Sequence, residues 1–175
     1  MKLICARSLW VAATVVVFAS LTTADGSASG FPGANSPAPT SAMPETTEPP
    51  AAGAPQIQPK ELVSILKSAK GPKPLIIQVG FRVMYLQAHI PGSEYIGPAF
   101  KADGILKLRR RVEALARTRP IVLYCGCCPW DKCPNIKPSY KLLRDMGFKD
   151  VKLLYIAHNF GTDWVEKSYP TARGD

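Results

Sequence analysis

From Ile57 onward, short apolar runs alternate with amphipathic segments, and this alternation confines the chain to an α/β domain: a mainly parallel sheet flanked by helices on both faces. Residues 74–79 form a continuous apolar run of the kind buried on both faces of a sheet. The run Ile121-Val122-Leu123-Tyr124, introduced by Pro120, is the clearest strand and leads directly into Cys125. Further strands are expected at 94–96 and 151–156. Helical spacing of Leu62, Ile65, Leu66 and Ala69 predicts a helix over 61–69, and Leu108, Val112, Leu115 and Ala116 predict another over 103–117. Shorter helices are expected at 81–88, at 138–146 with Gly147 as its stop, and at 162–167. No internal repeat is present.

The folded part is expected to be one domain over 57–170, with 171–175 as a tail. Ahead of it, residues 25–56 are Pro, Ala, Ser, Thr and Gly with almost no large apolar side chain, which cannot bury enough surface to offset the entropy of ordering. That segment reads as a semi-extended, disordered tether. Residues 1–24 have the layout of a secretory signal peptide: Lys2 and Arg7, a 13-residue apolar run from Leu9 to Leu21, then Thr22, Thr23 and Ala24. The apolar run falls short of the roughly 20 residues that a spanning helix needs. The expectation is therefore an exported protein, periplasmic or secreted, with no stable membrane insertion after cleavage.

Loss of Lys2 and Arg7 with the signal lowers the net charge from +9 to +7, so the mature chain stays basic. Such a balance attracts anions, but export argues against nucleic acid as the partner. The densest run, 107–111, sits on a predicted helix and reads as a solvated face.

The signal would also remove Cys5, leaving Cys125, Cys127, Cys128 and Cys133 in one nine-residue window. A disulfide scaffold would scatter its cysteines to staple distant segments; these four constrain a single loop, which points to chemistry or metal. Cys125 lies at the carboxyl end of a strand, where open α/β sheets bind ligands. A thiol there meets loop N–H groups and a helix N-terminus that favour the thiolate. Lys132 and Lys137 add positive charge, and Asp131 opposes them.

The order of segments resembles the rhodanese family. Leu75-Ile76-Ile77-Gln78-Val79, then Tyr85, then His89-Ile90-Pro91-Gly92-Ser93 looks like the family's first strand and its HIPGA-type signature. Ile121-Val122-Leu123-Tyr124-Cys125 looks like the strand that delivers the family's cysteine. Leu142-Leu143, Met146-Gly147-Phe148, Val151-Lys152, Trp164 and Tyr169-Pro170 match its closing helix, strand and tail. The resemblance implies a sulfurtransferase: the Cys125 thiolate takes sulfane sulfur from a donor such as thiosulfate, holds it as a persulfide, and yields it to an acceptor thiol or cyanide. It implies an N–H cradle in the loop beginning at Gly126, with Gly126, Cys127, Cys128, Trp130 and Lys132 around the substrate. The partners would be a small sulfur-donor anion or persulfide and a thiol acceptor, a protein acceptor among them, and no cofactor is expected.

The chain departs from the family pattern in several places. Gln78 and Gly80 stand where the family has Asp and Arg, and the loop is longer than the usual compact one and lacks the Gly-x-Arg-Ser ending. Pro129 and Pro134 carry no N–H, which reduces the donors available to a small anion and favours a persulfide donor over thiosulfate.

Two other functions stand beside sulfur transfer. Cys127, Cys128 or Cys133 could resolve a modified Cys125 to a disulfide, making an exported dithiol redox protein, or could form a structural bridge. Four thiolates also suit zinc or cuprous copper, although the Cys-x-Cys-Cys-x4-Cys spacing is not that of paired structural zinc ligands. A module of that kind would bind metal or a partner without catalysis. His89 reads as structural, His158 as a weaker candidate near the sheet edge, Trp130 as a cover over the site and Trp164 as core. Asn135 and Ser139 read as caps for the following helix, without chemistry.

Overall fold

The computed structural model describes residues 53–175. The expected signal at 1–24 and tether residues 25–52 lie outside the described residues. Among the described residues no helix is long and apolar enough to cross a membrane.

Strands β1 (Gln56–Ile57), β2 (Leu75–Gln78), β3 (Glu94–Tyr95), β4 (Ile121–Tyr124) and β5 (Val151–Leu154) form one sheet in the order β1-β5-β4-β2-β3, with every pairing parallel. The helices are α1 (Pro59–Lys67), α2 (Arg82–Gln87), α3 (Ala102–Val112) and α4 (Ile136–Asp145). Strand side chains alternate between two apolar layers, as the pleat requires. Ile77, Ile121, Leu123 and Leu153 pack with Leu108 and Val112 of α3 and with Leu142 and Leu143 of α4. On the other side Ile76, Val122, Tyr124 and Leu154 pack with Leu62 and Val63 of α1 and with Trp164. The central strands β2 and β4 are buried on both faces, which is why they read as unbroken apolar runs.

Local chemistry sets the helix limits. Proline occupies the first position of α1, where a missing N–H leaves nothing unsatisfied. At the end of α4, Gly147 takes φ +86°, its N–H donates to Arg144 O and the Phe148 N–H to Leu143 O, closing the helix with a glycine-centred cap. Helix α3 stops at Val112, short of the expected 117, because the Arg117 guanidinium turns back onto the carbonyls of Val112 and Leu115.

The boundaries differ from expectation at both ends. Ala54 is buried and the Leu153 N–H donates to Pro55 O, so Ala54, Pro55 and Gln56 belong to the domain rather than to the tether assigned to 25–56. Strand β1 was invisible in the sequence because only one of its two residues faces the core. The expected tail at 171–175 also joins the fold, since Ala172 exchanges two backbone hydrogen bonds with His89. The last expected helix is a wide single turn at Gly161–Val165.

Tyr124, the last residue of β4, ties the strand end to the turn of residues 89–93. Its hydroxyl accepts the Ile90 N–H at 3.2 Å and hydrogen-bonds Ser93 Oγ at 3.1 Å. Burial raises its pKa, so the hydroxyl stays protonated. Tyr124→Phe should lower stability by about 1–3 kcal/mol, because the buried Ile90 N–H loses its acceptor. Urea denaturation checks this, and an unchanged midpoint would show that the hydroxyl does not hold the turn.

Candidate active site at the cysteine loop

Parallel pairing of β2 and β4 places the residue after Tyr124 at the carboxyl edge of the sheet, where the chain must turn. Cys125 occupies that edge with 4% of its surface exposed. Gln78, at the end of β2, clamps the turn: its Nε2 donates to Cys125 O at 3.2 Å and its Oε1 accepts the Gly80 N–H at 3.2 Å. The Sγ of Cys125 uses the space that Gly80 leaves open, for a Cβ there would lie 2.9 Å from it. Gly126 then reverses the chain with φ +71°.

All four loop cysteines are free thiols. Cys125 Sγ lies 3.0 Å from Cys127 Sγ, which lies 3.3 Å from Cys128 Sγ. Cys133 is buried against the same small cavity as Cys125 and Cys128. Asn135 Nδ2 approaches Cys125 Sγ at 3.4 Å and Cys127 Sγ at 3.9 Å, while its Oδ1 accepts the Phe100 N–H at 3.0 Å.

Asn135 is therefore the site residue that the sequence reading missed. It stands just ahead of α4, but its side chain makes no cap; it faces the sulfur atoms. Nor does Ser139 cap: it lies inside α4 and its hydroxyl donates back to Asn135 O at 2.6 Å. The only hint in the sequence is that Asn135 closes the Cys133-Pro134-Asn135 triplet.

The mutual hydrogen bonding favours the thiolate at Cys127 rather than at Cys125. The bond with Cys125, and then the nearby Cys133 thiol, hold half-buried Cys127 well below the ordinary thiol range. The bond to Cys127, the contact with Cys133 and burial push Cys125 up. Burial, followed by the bond to Cys127, raises Cys128. The N–H groups of Asn135 and Ile136 at the start of α4 face Cys133 rather than Cys125; although the Cys125 contact and these N–H groups oppose it, the Cys127 contact and burial push Cys133 up. The loop's own N–H groups are also partly committed: Trp130 N–H donates to Ala157 O at 3.1 Å and Lys132 N–H to Pro129 O at 3.0 Å.

The other expected residues separate into those at the site and those away from it. Trp130 packs beside Tyr155 and lines the small cavity, as a cover would. Lys132 and Lys137 are exposed, and Lys132 meets the cluster only through its carbonyl, 3.8 Å from Cys128 Sγ. His89 is buried, stacked on Tyr85 and bonded through Nδ1 to Tyr85 O at 2.8 Å, a structural role. His158 is exposed and pairs with Asp163 of the following Gly161–Val165 turn at 3.1 Å. Trp164 is fully buried.

Two cavities border Cys125. The one shared with Cys128, Trp130 and Cys133 holds only about 10 Å³. The other, about 100 Å³, is lined by Gln78, Met84, Gln87, Tyr124, Phe160 and Val165 among others, and carries no cationic side chain.

A family model described as "Rhodanese-like domain" matches residues 59–155. No curated protein matches the chain. Among solved structures, the rhodanese-like domain of the Alr3790 protein from Anabaena sp is 25% identical, with 68% of this chain and 79% of that one covered and a TM-score of 0.51. The BH2092 protein of Bacillus halodurans is 19% identical, covering 69% and 77%, with a TM-score of 0.51. An anaerobic ergothioneine biosynthesis enzyme from Chlorobium limicola is 21% identical with a TM-score of 0.52; 69% of this chain is covered, but only 28% of that enzyme.

Proposed function

Because the chain belongs to the rhodanese-like domain family, we propose that it is a sulfurtransferase or persulfide carrier in which Cys125 bears the sulfane sulfur. The observation that carries the reading is the position of Cys125: a buried thiol at the carboxyl edge of a central strand, with a second sulfur 3.0 Å away to take its proton. As the Cys125 sulfur attacks the outer sulfur of the donor, its proton moves to Cys127, the nearest acceptor. A new S–S bond forms, the donor's S–S bond breaks, and its electron pair leaves with the departing thiolate or sulfite. An acceptor thiolate attacks the outer sulfur in turn and restores Cys125.

A persulfide suits the larger cavity better than thiosulfate does. Thiosulfate is a dianion, and a lining without Lys or Arg would have to desolvate both charges uncompensated. The proposed setting remains an exported compartment, on the strength of Lys2, Arg7 and the apolar run behind them.

The 3.0 Å separation of Cys125 and Cys127 also favours a second reading, a dithiol that closes to a disulfide. Intact mass and peptide mapping of the reduced protein, after exposure to a low-molecular-weight persulfide or to thiosulfate, separate the two. Gain of one sulfur on Cys125, faster with the persulfide, is the expected result. Loss of two hydrogens without retained sulfur would replace carrier chemistry by dithiol chemistry, and no change of mass with either donor would end both.

A further inference from the structure

We propose that Cys125, Cys127 and Cys128 form a three-sulfur site for cuprous copper, with Cys133 as a fourth sulfur at its wall. The three Sγ atoms all lie within 4.8 Å of one another, and the two closest pairs are 3.0 and 3.3 Å apart. With metal–sulfur bonds of about 2.3 Å, three sulfurs spread evenly around one ion sit roughly 4.0 Å apart. The two closest pairs therefore need to open by about 1 Å, a small rotation of the half-buried Cys127 and Cys128 side chains. Oxygen and nitrogen ligands are absent from the group, and a purely sulfur set selects soft cations.

Two further features favour the cuprous ion over zinc. Zinc in closed sites takes four ligands in a tetrahedron, whereas three sulfurs converge here and Cys133 lies outside the mutual group. The cavity wall beside Cys125, Cys128 and Cys133 adds Ile136, Leu154 and Ile156, an apolar side that offers no oxygen or nitrogen ligand to compete with sulfur. Asn135 supplies the outer support such a site needs: its amide points at Cys125 and Cys127, and the Phe100 N–H fixes its orientation. Loading replaces the thiol protons by the cation and releases them to the buffer, with no change of oxidation state. Since Cys125 is shared, a bound cation and a bound sulfur exclude each other, yet the metal site stands whether or not Cys125 carries sulfur.

The test uses the full chain carrying Cys5→Ser, reduced and free of oxygen, titrated with cuprous ion against the coloured chelator bathocuproine disulfonate. One equivalent should be withheld from the chelator, with a thiolate-to-copper absorption band, and the ion should protect Cys127 and Cys128 from iodoacetamide. Cys127→Ser and Cys128→Ser should each weaken retention by more than the roughly 100-fold that loss of an outer partner can cause. Thermal unfolding of each variant without metal confirms that it remains folded; should one fail to fold, alkylation protection in the unmutated loop carries the test. The proposal is overturned if the chelator strips all copper, if both serine variants bind as tightly as the parent, or if the chain holds zinc(II) more tightly than cuprous ion.

Discussion

Cys125→Ser leaves a folded protein that gains no sulfur at position 125 from any donor, a complete loss of loading at that residue. The substitution changes one atom of a side chain already enclosed by Gly80, Asn135 and Cys127. The serine hydroxyl can take over the hydrogen bond from Asn135 Nδ2, so no buried polar group is stranded. No cavity large enough to matter opens, and the change in stability should stay within about 1 kcal/mol. What vanishes is the nucleophile, because a serine hydroxyl beside Cys127 remains protonated and cannot form a persulfide. Cys127→Ser, in contrast, should slow loading without abolishing it, since it removes the proton acceptor and keeps the sulfur that is loaded.

Peptide-resolved mass spectrometry after exposure to a persulfide reads both variants, with circular dichroism as the control for folding. Sulfur appearing on Cys127 in the Cys125→Ser protein at the parent's rate would move the carrier role two residues along the loop. Loading of Cys125 that is indifferent to Cys127→Ser would remove Cys127 from the mechanism and leave Cys125 as the carrier.

Which parts of this arrangement the sequence made legible follows from how far apart the interacting residues lie. Strands β2 and β4 announce themselves because they are hidden on both faces, and Gly147 because a helix stop requires its positive φ. Cys125 is legible for the same reason, as the first residue beyond a clear strand. Strand β1 is not, since two residues generate no period. Nor is the inward turn of Asn135, which depends on the Phe100 N–H 35 positions earlier. The exchange of roles between Cys125 and Cys127 is of the same kind. The motif shows four equivalent cysteines, and only burial and mutual hydrogen bonding decide which of them donates and which accepts. Likewise, a basic loop suggested an anion site, but Lys132 and Lys137 face solvent and leave the cavity beside Cys125 without charge.

Gly126→Ala should be among the most damaging single-methyl additions in the domain, lowering stability by about 2–5 kcal/mol. Gly126 holds φ +71°, where an L side chain is strained by about 1–2 kcal/mol. The added Cβ would stand 2.7 Å from Phe160 Cβ, a stem atom that cannot swing aside. Nor can the backbones separate freely, because the Phe160 N–H donates to Gly126 O at 3.0 Å. Phe160 is itself wedged between Tyr124 and Trp164, with ring centroids 5.5 and 5.7 Å away. Relief must therefore come from shifting the loop, which separates Cys125 from Cys127 and weakens sulfur loading together with stability. Gly147→Ala is the matched control: its φ is +86°, but nothing lies within 4 Å of the added carbon, so only the backbone strain remains. Thermal unfolding should place Gly126→Ala on the order of 10 °C or more below the parent and Gly147→Ala between them. Equal shifts for the two variants would mean that the contact with Phe160 yields easily, and that Gly126 is required for its φ alone.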